Sequence, residues 1–218
     1  MKQIIVLAIL VLMFSSANAQ TQESPWHAGV DVYNTYVFRG AKFGNGPSIQ
    51  PSFNYSKSGF TLGAWGAYST SSLNSTDPFI ETDLYATYSV KLCDKSSLSF
   101  SVIDYYFPSE GIDYFHVAHH CFEPTLTFNY GKLSLLSAYM LKTKDLYNEL
   151  SINLSNVSIF VGAGNKVYTK DAKYSLCNVG IKTVKTLKIS DSFSIPLTGG
   201  VVLNPSTEQF HIVVGISL

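Results

Sequence analysis

Five side chains in this sequence could act together on a charged or polar partner: Arg39, Glu81, Asp83, Glu123 and Glu149. Glu81 and Asp83 stand two residues apart, so in an extended chain both carboxylates project from one face. Carboxylates gathered in a narrow passage with low-dielectric walls attract cations and bias what passes. The same groups could instead fill an interior as a structural salt-bridge network, because a guanidinium removed from water must be paired. His116, His119 and His120 are close enough in sequence to share a metal. No second ligand cluster lies nearby, which points to a solvated loop. His211 is the strand-interior histidine, and no obvious serine nucleophile stands beside it. No catalytic residue, metal or cofactor is therefore expected, and the chain reads as no enzyme.

The elements that must position these groups are strands. After Gln20 no helical period is sustained, whereas segments alternating between apolar and polar residues recur about every dozen positions. Twelve are expected, over residues 26–39, 48–55, 60–68, 80–91, 97–107, 121–130, 133–141, 146–155, 157–164, 174–187, 192–203 and 209–218. In the first, Val30, Val32, Tyr36 and Phe38 share an apolar face, broken by Asn34, while Asp31, Tyr33, Thr35 and Arg39 look the other way. In the fourth, Leu84 and its even-numbered neighbours oppose Glu81, Asp83 and Tyr85. Connections alternate between tight turns, such as Ser56-Lys57-Ser58-Gly59 and Gly131-Lys132, and longer loops, such as residues 40–47 and 108–120. That alternation is the habit of outer-membrane barrels, with short periplasmic turns and longer external loops.

Composition agrees. Lys2, the apolar run Ile4 to Phe14 and the triplet Ala17-Asn18-Ala19 read as a signal peptide over residues 1–19, leaving residues 20–218 as one barrel. The run is too short for a spanning helix, which needs roughly 20 residues. Charged residues are 14% of the chain, well under the roughly 25% usual in soluble domains. Aromatics also reach 14%, as a lipid-facing wall with aromatic girdles would require. Formal net charge is zero, which gives no case for nucleic acid. Cys93, Cys121 and Cys177 match no metal or redox spacing and allow at most one optional bridge.

Two further patterns stand out. Gln50-Pro51-Ser52-Phe53-Asn54-Tyr55 is echoed by Glu123-Pro124-Thr125-Leu126-Thr127-Phe128-Asn129-Tyr130, each followed by a Gly- and Lys-containing turn and a strand ending in Ala-Tyr. Chance likeness of amphipathic hairpins and a duplicated strand set both account for it. The run Tyr36-Val37-Phe38-Arg39-Gly40, the Glu81-x-Asp83 strand and Asp104-Tyr105-Tyr106-Phe107-Pro108 resemble the TorF-like outer-membrane porin family. Thr35 stands where that family has Asp, and Lys42-Phe43 replace its usual Ser-Gln. The resemblance implies a porin with Tyr36, Phe38, Arg39 and Gly40 as its motif, and it supplies no catalytic residues.

The expected fold is thus all-β, a transmembrane up-and-down antiparallel barrel of twelve strands in the outer membrane of a Gram-negative cell. Its partners would be outer-membrane lipid and a small solute. Arg39 is expected to pair with Glu81 or Asp83. A closed structural barrel and a secreted sandwich or lipocalin-like binder are the alternatives; the second would carry more charge on its outer face.

Overall fold

The structure, a computed structural model, describes residues 24–73, 77–108, 114 and 116–218. The expected signal peptide, residues 1–19, lies outside them. Among the described residues the strands are β1 (Trp26–Tyr33), β2 (Tyr36–Phe38), β3 (Ala41–Phe43), β4 (Ser48–Lys57), β5 (Phe60–Ser69), β6 (Phe79–Cys93), β7 (Ser96–Tyr106), β8 (His120–Tyr130), β9 (Leu133–Met140), β10 (Asp145–Leu154), β11 (Val157–Lys166), β12 (Ala172–Lys188), β13 (Ser194–Asn204) and β14 (Gln209–Ser217). All but β2 and β3 form one closed antiparallel barrel in which each strand pairs with its neighbours in sequence, and β1 closes the ring by pairing with both β4 and β14. This is the expected twelve-stranded up-and-down wall.

An even number of wall strands brings both ends of the barrel to one rim, the turn end, where the connections are tight. Ser58 and Gly59 there have φ of 51° and 81°, the left-handed pair whose twist matches that of a two-residue hairpin. The longer connections gather at the opposite rim, the loop end.

Period-two alternation separates two chemistries across the wall. Leu84, Leu126, Ile152 and Val214 point outward and are 39–46% exposed, whereas Glu81, Asp83 and Glu123 point inward and are 0–7% exposed. Aromatic residues flank this aliphatic band, with Trp26, Tyr88 and Tyr130 exposed towards the turn end and Tyr68, Tyr139 and Tyr174 towards the loop end. A soluble barrel would arrange its faces the other way round.

The first expected strand is the correction. It stops at Tyr33, and residues 36–43 turn inward as the β2–β3 hairpin, paired only with itself. Tyr36 and Phe38, expected on the apolar outer face, are therefore inside the lumen. Asn34 marks the departure. Its Nδ2 donates to the Ile212 carbonyl at 2.9 Å, its Oδ1 accepts from the Val214 N–H at 2.8 Å, and its own N–H donates to the Val214 carbonyl at 2.9 Å. The carboxamide thus stands in for the next peptide group of β1 and satisfies β14 where its neighbour leaves. These bonds lie on the exposed outer face, where a hydrogen bond contributes about 0.5–1.5 kcal/mol net. Asn34→Ala should lower stability by about 1 kcal/mol, read as the urea midpoint of the heat-modifiable band in detergent. Asn34→Asp, which keeps only the acceptor, should recover part of the loss; an unchanged midpoint for Asn34→Ala would show that the amide contributes nothing.

Candidate functional site

The inner hairpin crosses the lumen from β1 to the opposite wall. Arg39 and Gly40 form its turn, with φ of 51° and 81°. The pair has the geometry of a tight two-residue turn. Glycine adopts it freely. A side chain on Gly40 would also place its Cβ 2.0 Å from the Cys177 carbonyl oxygen, so the tip can rest on β12 only because nothing projects there.

Arginine in the left-handed region costs roughly 1–2 kcal/mol, and the contacts of its guanidinium offset this. Nη1 and Nη2 donate to Glu123 Oε2 and Oε1 at 2.6 and 2.8 Å, a two-pronged pair. Nη1 also donates to the Tyr168 hydroxyl at 2.8 Å, and the guanidinium carbon lies 4.6 Å from the centroid of the Tyr147 ring. Glu123 accepts two further bonds, from Tyr105 and Thr125, both at 3.2 Å. The pair is shut away from solvent, with the side chains 8% and 1% exposed. Tyr168 belongs to the β11–β12 connection, and burial pushes its phenol up to about 12. It stays neutral and accepts from Arg39 without adding charge.

The other sequence-predicted carboxylates share the lumen but not the arginine. Glu81 is buried in the lumen, 4% exposed, and the Tyr36 ring packs 5.5 Å from both Phe43 and Trp65. Asp83 Oδ1 has no hydrogen-bond partner among the described residues. Glu149 accepts from Tyr147 and from Asn178 Nδ2 at 2.5 and 3.0 Å. The expected pairing of Arg39 with Glu81 or Asp83 is thus replaced by Glu123, because the hairpin carries the guanidinium past β6 to β8. One guanidinium answers one carboxylate, and Glu81, Asp83 and Glu149 are without an ion-pair partner among the described residues.

Sequence reasoning missed Tyr105, Tyr147, Tyr168 and Asn178. The parity of their strands signals the first two and Asn178, whereas Tyr168 follows a strand and carried no such signal. The internal echo did carry information: Gln50 and Glu123 occupy equivalent places in it, and both are buried in the lumen. Of the histidines, His120 is no loop residue. It begins β8 on the outward side, with Nδ1 2.8 and 2.9 Å from the Asp104 carboxylate. His116 and His119 lie in the loop, and no cluster of metal-binding side chains occurs among the described residues. His211 points inward and is buried. All three cysteines are free, Cys121 and Cys177 buried and Cys93 exposed.

Fold and site together define a closed twelve-stranded β-barrel with a hairpin of its own chain pinned across the lumen. Residues 19–194 match the family described as bacterial protein of unknown function (Gcw_chp), and the chain belongs to that family. That description names neither TorF nor a porin. No curated protein matches the sequence.

Removing one partner of a buried pair leaves the other charge unanswered and costs about 3–5 kcal/mol. Arg39→Ala should therefore free the hairpin tip. With Trp26 changed to Phe, Trp65 becomes the sole reporter, and its emission should shift as Tyr36 leaves it. The double change Arg39→Met with Glu123→Leu should recover most of the lost stability; no shift and no loss in Arg39→Ala would deny the pin its role.

Proposed function

We propose that this chain is an outer-membrane barrel of a Gram-negative cell that passes small polar solutes through a narrow, cation-favouring lumen, with the β2–β3 hairpin as its constriction. The observation that carries the reading is a set of carboxylates without a cation partner among the described residues, inside an apolar-coated wall: Glu81, Asp83 and Glu149 face the lumen while Arg39 is taken up by Glu123. Charge inside a passage with low-dielectric walls acts at longer range than it would in water. The apolar band and its aromatic girdles support the membrane setting. The turn end then faces the periplasm and the loop end the exterior.

A closed structural barrel is the second reading, favoured by how fully the Arg39–Glu123 pair is buried. Twelve strands lie between eight, whose interior is filled by side chains, and sixteen, which leave an aqueous channel.

Membrane placement has its own test. Arg substituted at Leu84, Leu126, Ile152 or Val214 should cost about 2–4 kcal/mol at the bilayer midplane, whereas Arg at the inward Tyr85 should not incur that penalty. In a Cys93→Ser background, Lys170→Cys should react with a bulky maleimide on intact cells and Lys57→Cys should not; the reverse would invert the topology.

Transport is tested by conductance of the refolded barrel in a planar bilayer. Small steps with a modest cation preference are expected, weakening at 1 M salt where the Debye length is about 3 Å. Glu81→Gln with Asp83→Asn should reduce that preference, and Arg39→Ala should enlarge the steps. Silence in both wild type and Arg39→Ala would establish the closed structural barrel instead.

A further inference from the structure

On the turn-end side of the hairpin, against β1 and β10–β14, the lumen holds a cavity of about 370 Å³. That is within the roughly 300–1,000 Å³ common for small-molecule sites. Its lining is rich in hydrogen-bond acceptors. Asn178 is 5% exposed, and its Oδ1 has no partner among the described residues. The amide is oriented by its neighbours: Tyr147 donates its proton to Glu149, so the two atoms facing Asn178 are both acceptors and Nδ2 must turn to them. Thr35 Oγ1, on a residue 9% exposed, is likewise without a partner. Asp31 and Glu149 add carboxylates that no cation reaches within ion-pair distance among the described residues.

Buried acceptors without donors are costly, and a ligand that supplies N–H groups removes the cost. We propose that this chamber binds a small solute through a primary ammonium group, donated to Glu149 and Asn178 on one side and Thr35 on the other. A primary ammonium carries three N–H donors and a positive charge, which together fit two unfilled acceptors beside an unpaired carboxylate. A quaternary ammonium has the charge without the donors, and an alcohol has a donor without the charge. The only lining cation outside the Arg39–Glu123 pair, among the described residues, is Lys182, held 5.9 Å from the Tyr33 ring centroid. It lines the same chamber and is the group there that could answer an anionic end of the solute. The inference deepens the transport reading and rests on it for biological meaning, but binding can be measured without transport.

The test is titration calorimetry on the refolded barrel in detergent micelles with ethanolamine, ethylene glycol and tetramethylammonium. Saturable binding of ethanolamine is expected, with none for ethylene glycol and about ten-fold or weaker binding for tetramethylammonium, the loss of hydrogen bonds to a charged group. Glu149→Gln should weaken ethanolamine by about ten- to hundred-fold. Thr35→Val removes an oxygen that bonds nothing among the described residues, so it should weaken binding while leaving the unfolding midpoint unchanged. Equal binding of ethanolamine and tetramethylammonium, no saturable binding of any probe, or indifference to both substitutions would overturn the proposal and leave a water-filled void. A barrel that binds ethanolamine yet never conducts keeps the site and loses the transport reading. One that conducts without binding does the reverse.

Discussion

A guanidinium and a carboxylate meeting in the middle of a barrel decide how the rest of this chain is arranged. Arg39 cannot reach Glu123 from the wall; it must be carried there, and the hairpin turn carries it. Taking two charges from water is costly unless each is fully bonded. The surrounding tyrosines meet that condition: Tyr105 donates to the carboxylate, Tyr168 accepts from the guanidinium, and Tyr147 offers its ring. Three of the aromatic residues that make the composition unusual, Tyr105, Tyr147 and Tyr168, serve the pair inside, while others such as Tyr88 and Tyr139 stand exposed towards the two rims. The arginine's strained backbone and the bare Gly40 beside it belong to the same arrangement, since the tip must press against β12 to bring the guanidinium into place.

The pair also explains the character of the space around it. Because the pin is electrically closed, the remaining lumenal carboxylates have no ion-pair partner among the described residues, and on β12 and the segment entering the hairpin two buried polar atoms of cavity-lining residues, Asn178 Oδ1 and Thr35 Oγ1, have no hydrogen-bond partner among them. An interior filled only for stability would satisfy such atoms with one another. The contrast between a saturated pin and unpartnered polar groups beside it is what the proposed transport and binding roles rest on.

The wall was legible in the sequence because period two is a strong signal wherever one face meets lipid-like surroundings and the other meets polar groups. Leu84 against Asp83 and Leu126 against Glu123 could be read directly. The hairpin was not legible, for a physical reason: Tyr36-Val37-Phe38 alternates like a wall strand whether its apolar side meets lipid or a cluster of rings inside. Two places did mark the break. Asn34 interrupted the apolar face because its amide replaces a peptide group, and Arg39-Gly40 had the form of a turn rather than a strand end. The partner of Arg39 was out of reach for the same reason, since strand phase places it inside but says nothing of how far a hairpin will carry it across. His120 was misplaced by boundary alone, one residue short of the strand it begins.

A closed barrel is a hoop, and a hoop parts where it is joined most lightly. β1 lies in register with β4 over eight residues but with β14 over three, with main-chain bonds from Val30 to Leu218 on one flank and from Asn34 to Val214 on the other. The first and last wall strands meet at this joint, so nothing covalent joins them across it except the whole circumference. Beyond the joint the edge of β14 continues towards the loop end without a wall strand beside it, and among the described residues the Asn34 amide bonds its main chain there, like the last closed tooth of a zipper. Any outward load on the ring would concentrate at that single side chain, which makes the seam, rather than any turn or loop, the place where this wall would first open sideways.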